Sequence, residues 1–199
     1  MIKSNNRISV FGKTDSGKTV LVKRILWGQY QNRVFYDPKC MNHDLLSNAS
    51  LVRTPDALDR VLDKKKSILY QPDDLEMEDF DEVCKILFRR GNIALFCDEV
   101  SGVCSASSIS KWHKRLLVQG REKGLGVVSC SQRPRDCHSN IVSESEHFFV
   151  FRLNLETDVK KISMMIPRWA AREIYALPAY HFMYFNTSGV VKFFEPVRF

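Results

Sequence analysis

Long apolar runs are absent. Nothing in the 199 residues approaches the roughly 18 consecutive apolar residues of a membrane-spanning helix, so no stable membrane insertion is expected. The opening MIKSNNRISV lacks the apolar stretch and small-residue cleavage site of a secretory signal. C-x-x-C pairs are missing as well. The six cysteines (Cys40, Cys84, Cys97, Cys104, Cys130 and Cys137) are scattered, which argues against a zinc site. Cys84, Cys97 and Cys130 lie inside apolar runs, where a reduced thiol behaves as a small core residue. Reduced thiols and the missing signal point to an intracellular protein. Internal repeats, low-complexity tracts and long linkers are absent too, so a single domain over residues 1–199 is expected.

What is present is an ordinary globular composition, 44% hydrophobic and 27% charged. The net charge of +7 suits a polyanionic partner. It is equally the charge of a basic protein kept soluble by repulsion.

Apolar runs alternate with helical patterns, the signature of an α/β domain. RISVF (7–11), RVFYD (33–37), SILYQ (67–71), IALFC (93–97), LGVVSCS (125–131) and HFFVFRL (147–153) read as strands. Residues 18–27 read as a helix, with Leu21/Ile25 and Val22/Leu26 as i,i+4 pairs. Thr54 is a plausible N-cap, with Pro55 at the first position of a helix to Asp63. KKK at 64–66 reads as the end of that helix. A helix from Leu75 to Arg90 starts acidic and ends Arg89-Arg90-Gly91, which suits its dipole. Ile109, Trp112 and Leu116 mark a helix after a serine-rich loop, and another is expected at 157–165. YHFMYF-NTSG-VVKFFE reads as a β-hairpin. Trp27 and Trp169 read as packing residues.

The stretch GKTDSGKT (12–19) follows the first strand and opens the first helix. Gly12, Gly17, Lys18 and Thr19 match G-x-x-x-x-G-K-[ST], the P-loop or Walker A motif, in the context that makes it meaningful. Glycines allow a tight turn whose backbone N–H groups point at phosphate oxygens, and the helix N-terminus adds its dipole. The expected nucleotide site is Gly12, Lys13, Thr14, Asp15, Ser16, Gly17, Lys18, Thr19 and Val20. Lys18 reaches the β- and γ-phosphates of ATP, and Thr19 ligates Mg²⁺. The alternative is a merely polar turn.

The strand IALFC ends in Asp98-Glu99, a Walker B pattern. The first carboxylate can hold Mg²⁺ through water, and the second can orient and deprotonate an attacking water. A hydrolase needs the second carboxylate there; a kinase does not. Alone, the pair reads better as the end of a strand that caps the next turn; with the P-loop upstream, the catalytic reading is preferred. GREKGLGVVSCSQRP closes another strand with Gln132. If that strand neighbours the P-loop strand, Gln132 sits near the γ-phosphate and can couple hydrolysis to movement. Otherwise it starts a turn before Pro134.

Taken in order, GKTDSGKT, FYDPK, LFCDE and GREKGLGVVSCSQRP resemble the FtsK–HerA class of P-loop ATPases over about residues 5–153. The bare core, without appended domains, resembles the minimal genome-packaging ATPases of membrane-containing icosahedral viruses of bacteria and archaea. That resemblance implies a three-layer P-loop NTPase of the additional-strand, catalytic-glutamate type. Its mostly parallel sheet carries Gln132 on a strand inserted between the P-loop and Asp-Glu strands. It also implies ATP hydrolysis and a ring, usually a hexamer, around double-stranded DNA. It implies too an arginine reaching a neighbour's γ-phosphate. Arg121 best matches that arginine, with Arg115, Arg133 and Arg135 as rivals. The expected catalytic set is therefore Glu99, Lys18, Gln132 and Arg121, with Thr19 and Asp98 on the metal. The expected partners are DNA, further copies of the chain and a capsid or membrane packaging vertex. The expected location is the host cytoplasm, or a virion vertex.

For DNA, Lys111, Lys114 and Arg115 are read on a helix face opposite Ile109, Trp112 and Leu116, able to touch phosphates without reading sequence. A solvated helix face explains them equally well. Asp15 departs from the class, where a small residue is commoner, and its side chain is expected to point away from the phosphates. Residues 154–199 match no motif. A phosphotransferase would need an arginine-bearing lid and an acceptor pocket, neither of which is evident. A nucleotide-dependent assembly or export protein, and a plasmid or mobile-element DNA pump, stand as alternatives.

Overall fold

A computed structural model of the chain describes residues 2–73 and 76–198. The apolar runs become strands β1 (Arg7–Phe11), β2 (Arg33–Tyr36), β3 (Ser50–Val52), β4 (Ser67–Tyr70), β5 (Ala94–Cys97), β6 (Gly126–Ser131), β7 (His147–Phe151), β8 (Phe182–Asn186) and β9 (Val191–Phe194). They join one sheet in the order β3-β4-β2-β5-β6-β1-β7-β8-β9. The pairs from β3 to β7 are all parallel. Strands β8 and β9 add an antiparallel edge, the expected hairpin. β6 lies between β1 and β5, as the additional-strand type requires.

Every residue of β1, β5, β6 and β7 is buried, because helices cover both faces of the sheet. The period of two sorts their side chains into two cores. Ile8, Val10, Phe35 and Phe96 pack with Leu21, Leu26 and Trp27 on one face. Phe11, Tyr36, Leu95 and Phe148 pack on the other with Phe80, Leu87, Leu116 and Ile162. The three-layer α/β expectation is borne out.

The helices are α1 (Lys18–Leu21), α2 (Pro55–Val61), α3 (Met77–Arg90), α4 (Lys111–Gln119), α5 (Ser139–Ser143), α6 (Glu156–Ser163) and α7 (Arg168–Ala176). The helix expected over 18–27 widens into a π-helical turn at Val22–Leu26, where the Trp27 N–H bonds to the Val22 carbonyl. That widening rotates the apolar face. Trp27 is buried, while Ile25, half of an expected apolar pair, is 40% exposed. Thr54 caps α2 as read, its Oγ1 accepting from the Ala57 N–H at 3.3 Å, and the lysines 64–66 follow in the turn beyond. The helix expected from Leu75 is observed from Met77; Leu75 lies outside the described residues. Trp169, read as a packing residue, is 55% exposed on α7, touching only the edge-strand ring of Phe193 among aromatic partners in the described residues.

Candidate nucleotide site

Parallel strands in register bring their C-terminal ends to one edge, and the candidate side chains are the first residues past those ends. Phe11 pairs with Ser131, so Gly12 and Gln132 leave neighbouring strands side by side. Cys97 pairs with both Tyr36 and Ser129, so Asp98 and Glu99 emerge between Asp37 and Gln132.

The loop after β1 wraps the start of α1. A Cβ on Gly12 would stand 2.6 Å from Ser16 Oγ and 2.7 Å from Phe151 Cβ, so only glycine fits. Gly17 has φ 100° and Asp15 φ 59°. Left-handed residues on either side of Ser16 turn successive amides inward. Among the described residues, the Thr14, Asp15 and Gly17 amides bond to no other backbone carbonyl. Ser16 Oγ is buried without a partner. These are the donors a phosphate satisfies. Asp15 itself is exposed, at the wall of the cavity beside the loop.

Lys18 is buried, and its ammonium donates to the Gly12 and Lys13 carbonyls, each at 2.7 Å. Burial holds its pKa below the ordinary lysine value. Thr19 Oγ1 donates to Asp98 Oδ1 at 3.1 Å. A hydroxyl facing one carboxylate fits Mg²⁺, which keeps most of its waters and takes few protein oxygens. No cluster of three or more His, Cys, Asp or Glu side chains suited to caging a metal occurs among the described residues.

Glu99 is buried and held by three donors. Ser101 Oγ reaches Oε1 at 2.6 Å, while Lys39 Nζ and Gln132 Nε2 reach Oε2 at 3.1 and 3.0 Å. Burial alone would raise its pKa. The bonds from Ser101 and Lys39, and the Lys39 charge, outweigh that and hold it below the ordinary carboxylate value. Gln132 Oε1 in turn accepts from Thr14 Oγ1 at 2.8 Å. A chain of hydrogen bonds therefore runs from the P-loop through Gln132 to Glu99. Such a site can polarise a phosphoanhydride and take a proton from water beside it.

Sequence reasoning missed the supports. Lys39 belongs to the quoted FYDPK stretch, yet nothing local shows that it reaches a carboxylate sixty positions on. Asn42 Nδ2 donates to Asp37 Oδ1 at 2.8 Å and Asp98 Oδ2 at 3.2 Å, and Gln71 Nε2 donates to Asp37 Oδ2 at 2.9 Å. This buried network, built from the ends of β2 and β4, orients Asp98.

The arginines separate. Arg133 is tied to the buried Asp158 at 2.9 Å. Arg115 lies over the rings of Trp112 and Phe88, 4.7 and 4.9 Å from their centroids. It therefore shares the Trp112 side of α4 instead of facing away from it, because a guanidinium gains by stacking on those rings. Lys111 and Lys114 are exposed. Arg121 precedes β6 and is 56% exposed, ion-paired with Glu146. It sits at the N-terminal edge of the sheet, a strand's length of about 3.3 Å per residue away from the P-loop edge. It cannot serve the P-loop of its own chain.

No family model matches the chain. Over 200 residues it is 24% identical to the DNA packaging ATPase P9 of Enterobacteria phage PRD1, covering 95% of this chain and 86% of that protein. The genome packaging NTPase B204 from Sulfolobus turreted icosahedral virus 2, in complex with ATP-gammaS, superposes with TM-score 0.85 at 17% identity, covering 99% of this chain and 100% of that one. The chain has the fold of the viral packaging ATPases. VirB4 of Thermoanaerobacter pseudethanolicus shares it at TM-score 0.70 and 9% identity, over 98% of this chain and 90% of that one. The fold implied by the resemblance to FtsK–HerA-class ATPases, read from the motifs, is borne out.

Proposed function

We propose that the chain is an ATP-hydrolysing translocase, a single P-loop domain over residues 1–199, that packages double-stranded viral DNA into a preformed capsid. One observation carries the hydrolase reading: a buried glutamate, kept ionised by Lys39, stands one residue past a carboxylate that faces the P-loop threonine. Similarity to a DNA packaging ATPase over 95% of the chain supports the work assigned to hydrolysis.

In this reading the loop amides and Lys18 hold the β- and γ-phosphates. Thr19 and Asp98 hold Mg²⁺, which supplies charge neutralisation on the phosphate oxygens. Glu99 orients water at the γ-phosphorus and takes its proton as the new P–O bond forms and the β–γ bridge breaks, releasing ADP and phosphate. Gln132, bonded to both Thr14 and Glu99, passes the change at the γ-phosphate to β6. Arg121 reaches the site of the next copy, which makes a ring, taken as a hexamer, the working unit. Lys111 and Lys114, with Arg115 held against Trp112, contact DNA phosphates. The work takes place in the host cytoplasm, with the ring docked at a capsid or membrane packaging vertex.

Translocation is tested by triplex displacement. ATP, but not a non-hydrolysable analogue, should strip a third strand from linear duplex DNA. Turnover without displacement on any duplex length contradicts the motor reading.

A further inference from the structure

Beside the phosphate loop lies a cavity of about 740 Å³, within the ~300–1,000 Å³ range of small-molecule sites. Its near side is the P-loop, from Asp15 to Val20, and its far side is Phe151, Tyr180 and the segment Pro196–Arg198. Apart from Phe151, which ends β7, that far wall comes from residues 154–199, the part of the chain without any recognisable motif.

Tyr180 is the informative residue. It is the third residue of a turn closed by the His181 N–H on the Pro178 carbonyl at 3.2 Å. Its φ is 62°, a conformation that such turns normally give to glycine and that strains a bulky side chain. Strain of this kind collects at ligand sites. The residue is 56% exposed although its side chain is large and aromatic. It overhangs the P-loop: a Cβ placed on Gly17 would stand 3.7 Å from Tyr180 Cδ1 and 3.3 Å from Phe151 Cε1. The segment Pro196–Arg198 is anchored, since Val197 packs on the core that holds Phe151 and Phe182. Phe182 in turn contacts the Phe151 and Phe194 rings at 5.3 and 5.2 Å between centroids.

A triphosphate held at residues 12–19 leaves its ribose and base to extend past Thr19 and Val20, into this cavity. We propose that Phe151, Tyr180 and Val197 form the base-and-ribose cleft of the nucleotide site, with the base lying flat on the Tyr180 ring. This rests on the nucleotide-binding reading above. Outside the phosphate loop the wall's side chains are apolar or aromatic, apart from Arg198, which is exposed and faces Glu195 in solvent. The cleft therefore selects by stacking area, taking purine triphosphates ahead of pyrimidine ones.

The test measures affinities of ATP, CTP and inorganic tripolyphosphate, each with Mg²⁺, by calorimetry. Asparagine tolerates a left-handed backbone, so Tyr180→Asn removes the ring without adding strain. Tyr180→Asn should weaken ATP at least about fivefold, from the usual worth of base–aromatic stacking. It should leave tripolyphosphate unchanged and erase the preference for ATP over CTP, while Tyr180→Phe should bind as the wild type does. Wild-type ATP affinity in Tyr180→Asn overturns the cleft and leaves the phosphate site standing. Equal losses for ATP and tripolyphosphate also overturn it, since the ring would then merely support the loop. A wild-type protein that binds neither ligand overturns the nucleotide reading itself.

Discussion

Replacing Glu99 by glutamine separates chemistry from binding. The amide has the shape of the carboxylate, and its neighbours can accept it. With its oxygen in the Oε2 position it still accepts from Lys39 and Gln132, and its NH₂ then donates to Ser101 Oγ, whose own proton rotates away. The loss to stability is that of a partly exposed ion pair with Lys39, about 0–1 kcal/mol. The P-loop, Lys18 and Thr19 are untouched, so ATP affinity should stay within about threefold, less than the ~1 kcal/mol of that lost pair. Turnover, by contrast, loses its base. General-base catalysis contributes roughly 10²–10⁴ in rate, a barrier increase of about 3–5 kcal/mol. Phosphate release under saturating ATP, beside ATP binding by fluorescence titration, reads both quantities. A Glu99→Gln protein that turns over near the wild-type rate refutes the assignment. So does one that no longer binds ATP, because Glu99 would then be holding the loop together.

Further outcomes rest on the same geometry. Because Glu99 titrates below the ordinary carboxylate value, turnover should persist as pH falls through about 4.3, the usual glutamate value, and fail only below it. Any folding stability that Glu99 supplies is likewise full above its unfolded-state pKa and lost as pH drops through the folded one. Lys39→Met removes the charge that holds the carboxyl down, so the acid limb of the kcat–pH profile should move to higher pH; a limb that stays or moves lower contradicts the Lys39–Glu99 coupling. Arg121→Ala should bind ATP normally and hydrolyse it slowly. Mixing it with Glu99→Gln should restore part of the activity, because a mixed interface joins an intact base to an intact arginine; no recovery at any mixing ratio places the arginine elsewhere.

Much of the fold was legible because it rests on local signals: apolar runs for the buried parallel strands, Thr54-Pro55 for a helix start, and acid-to-base polarity along α3. The P-loop was legible for the same reason, since its glycines answer a local backbone demand. β3 was missed because three residues of an edge strand carry too little pattern. The π turn at 22–26 was invisible because it shifts a helical face instead of abolishing it. The supports of the site were hidden for a different reason. Lys39, Asn42 and Gln71 become partners of Glu99, Asp98 and Asp37 only when β2, β4 and β5 stand in register, and no short window contains that register. Tyr180 lies beyond every motif, and only its backbone angle, together with its place over Gly17, sets it apart.

The most direct test of a motor built from shared sites is ATP turnover at rising protein concentration, with and without long double-stranded DNA. Specific activity should climb with both, because Arg121 completes a site only when copies assemble and DNA gathers them. Turnover that is high in the monomer and indifferent to DNA would contradict shared sites and the packaging role together.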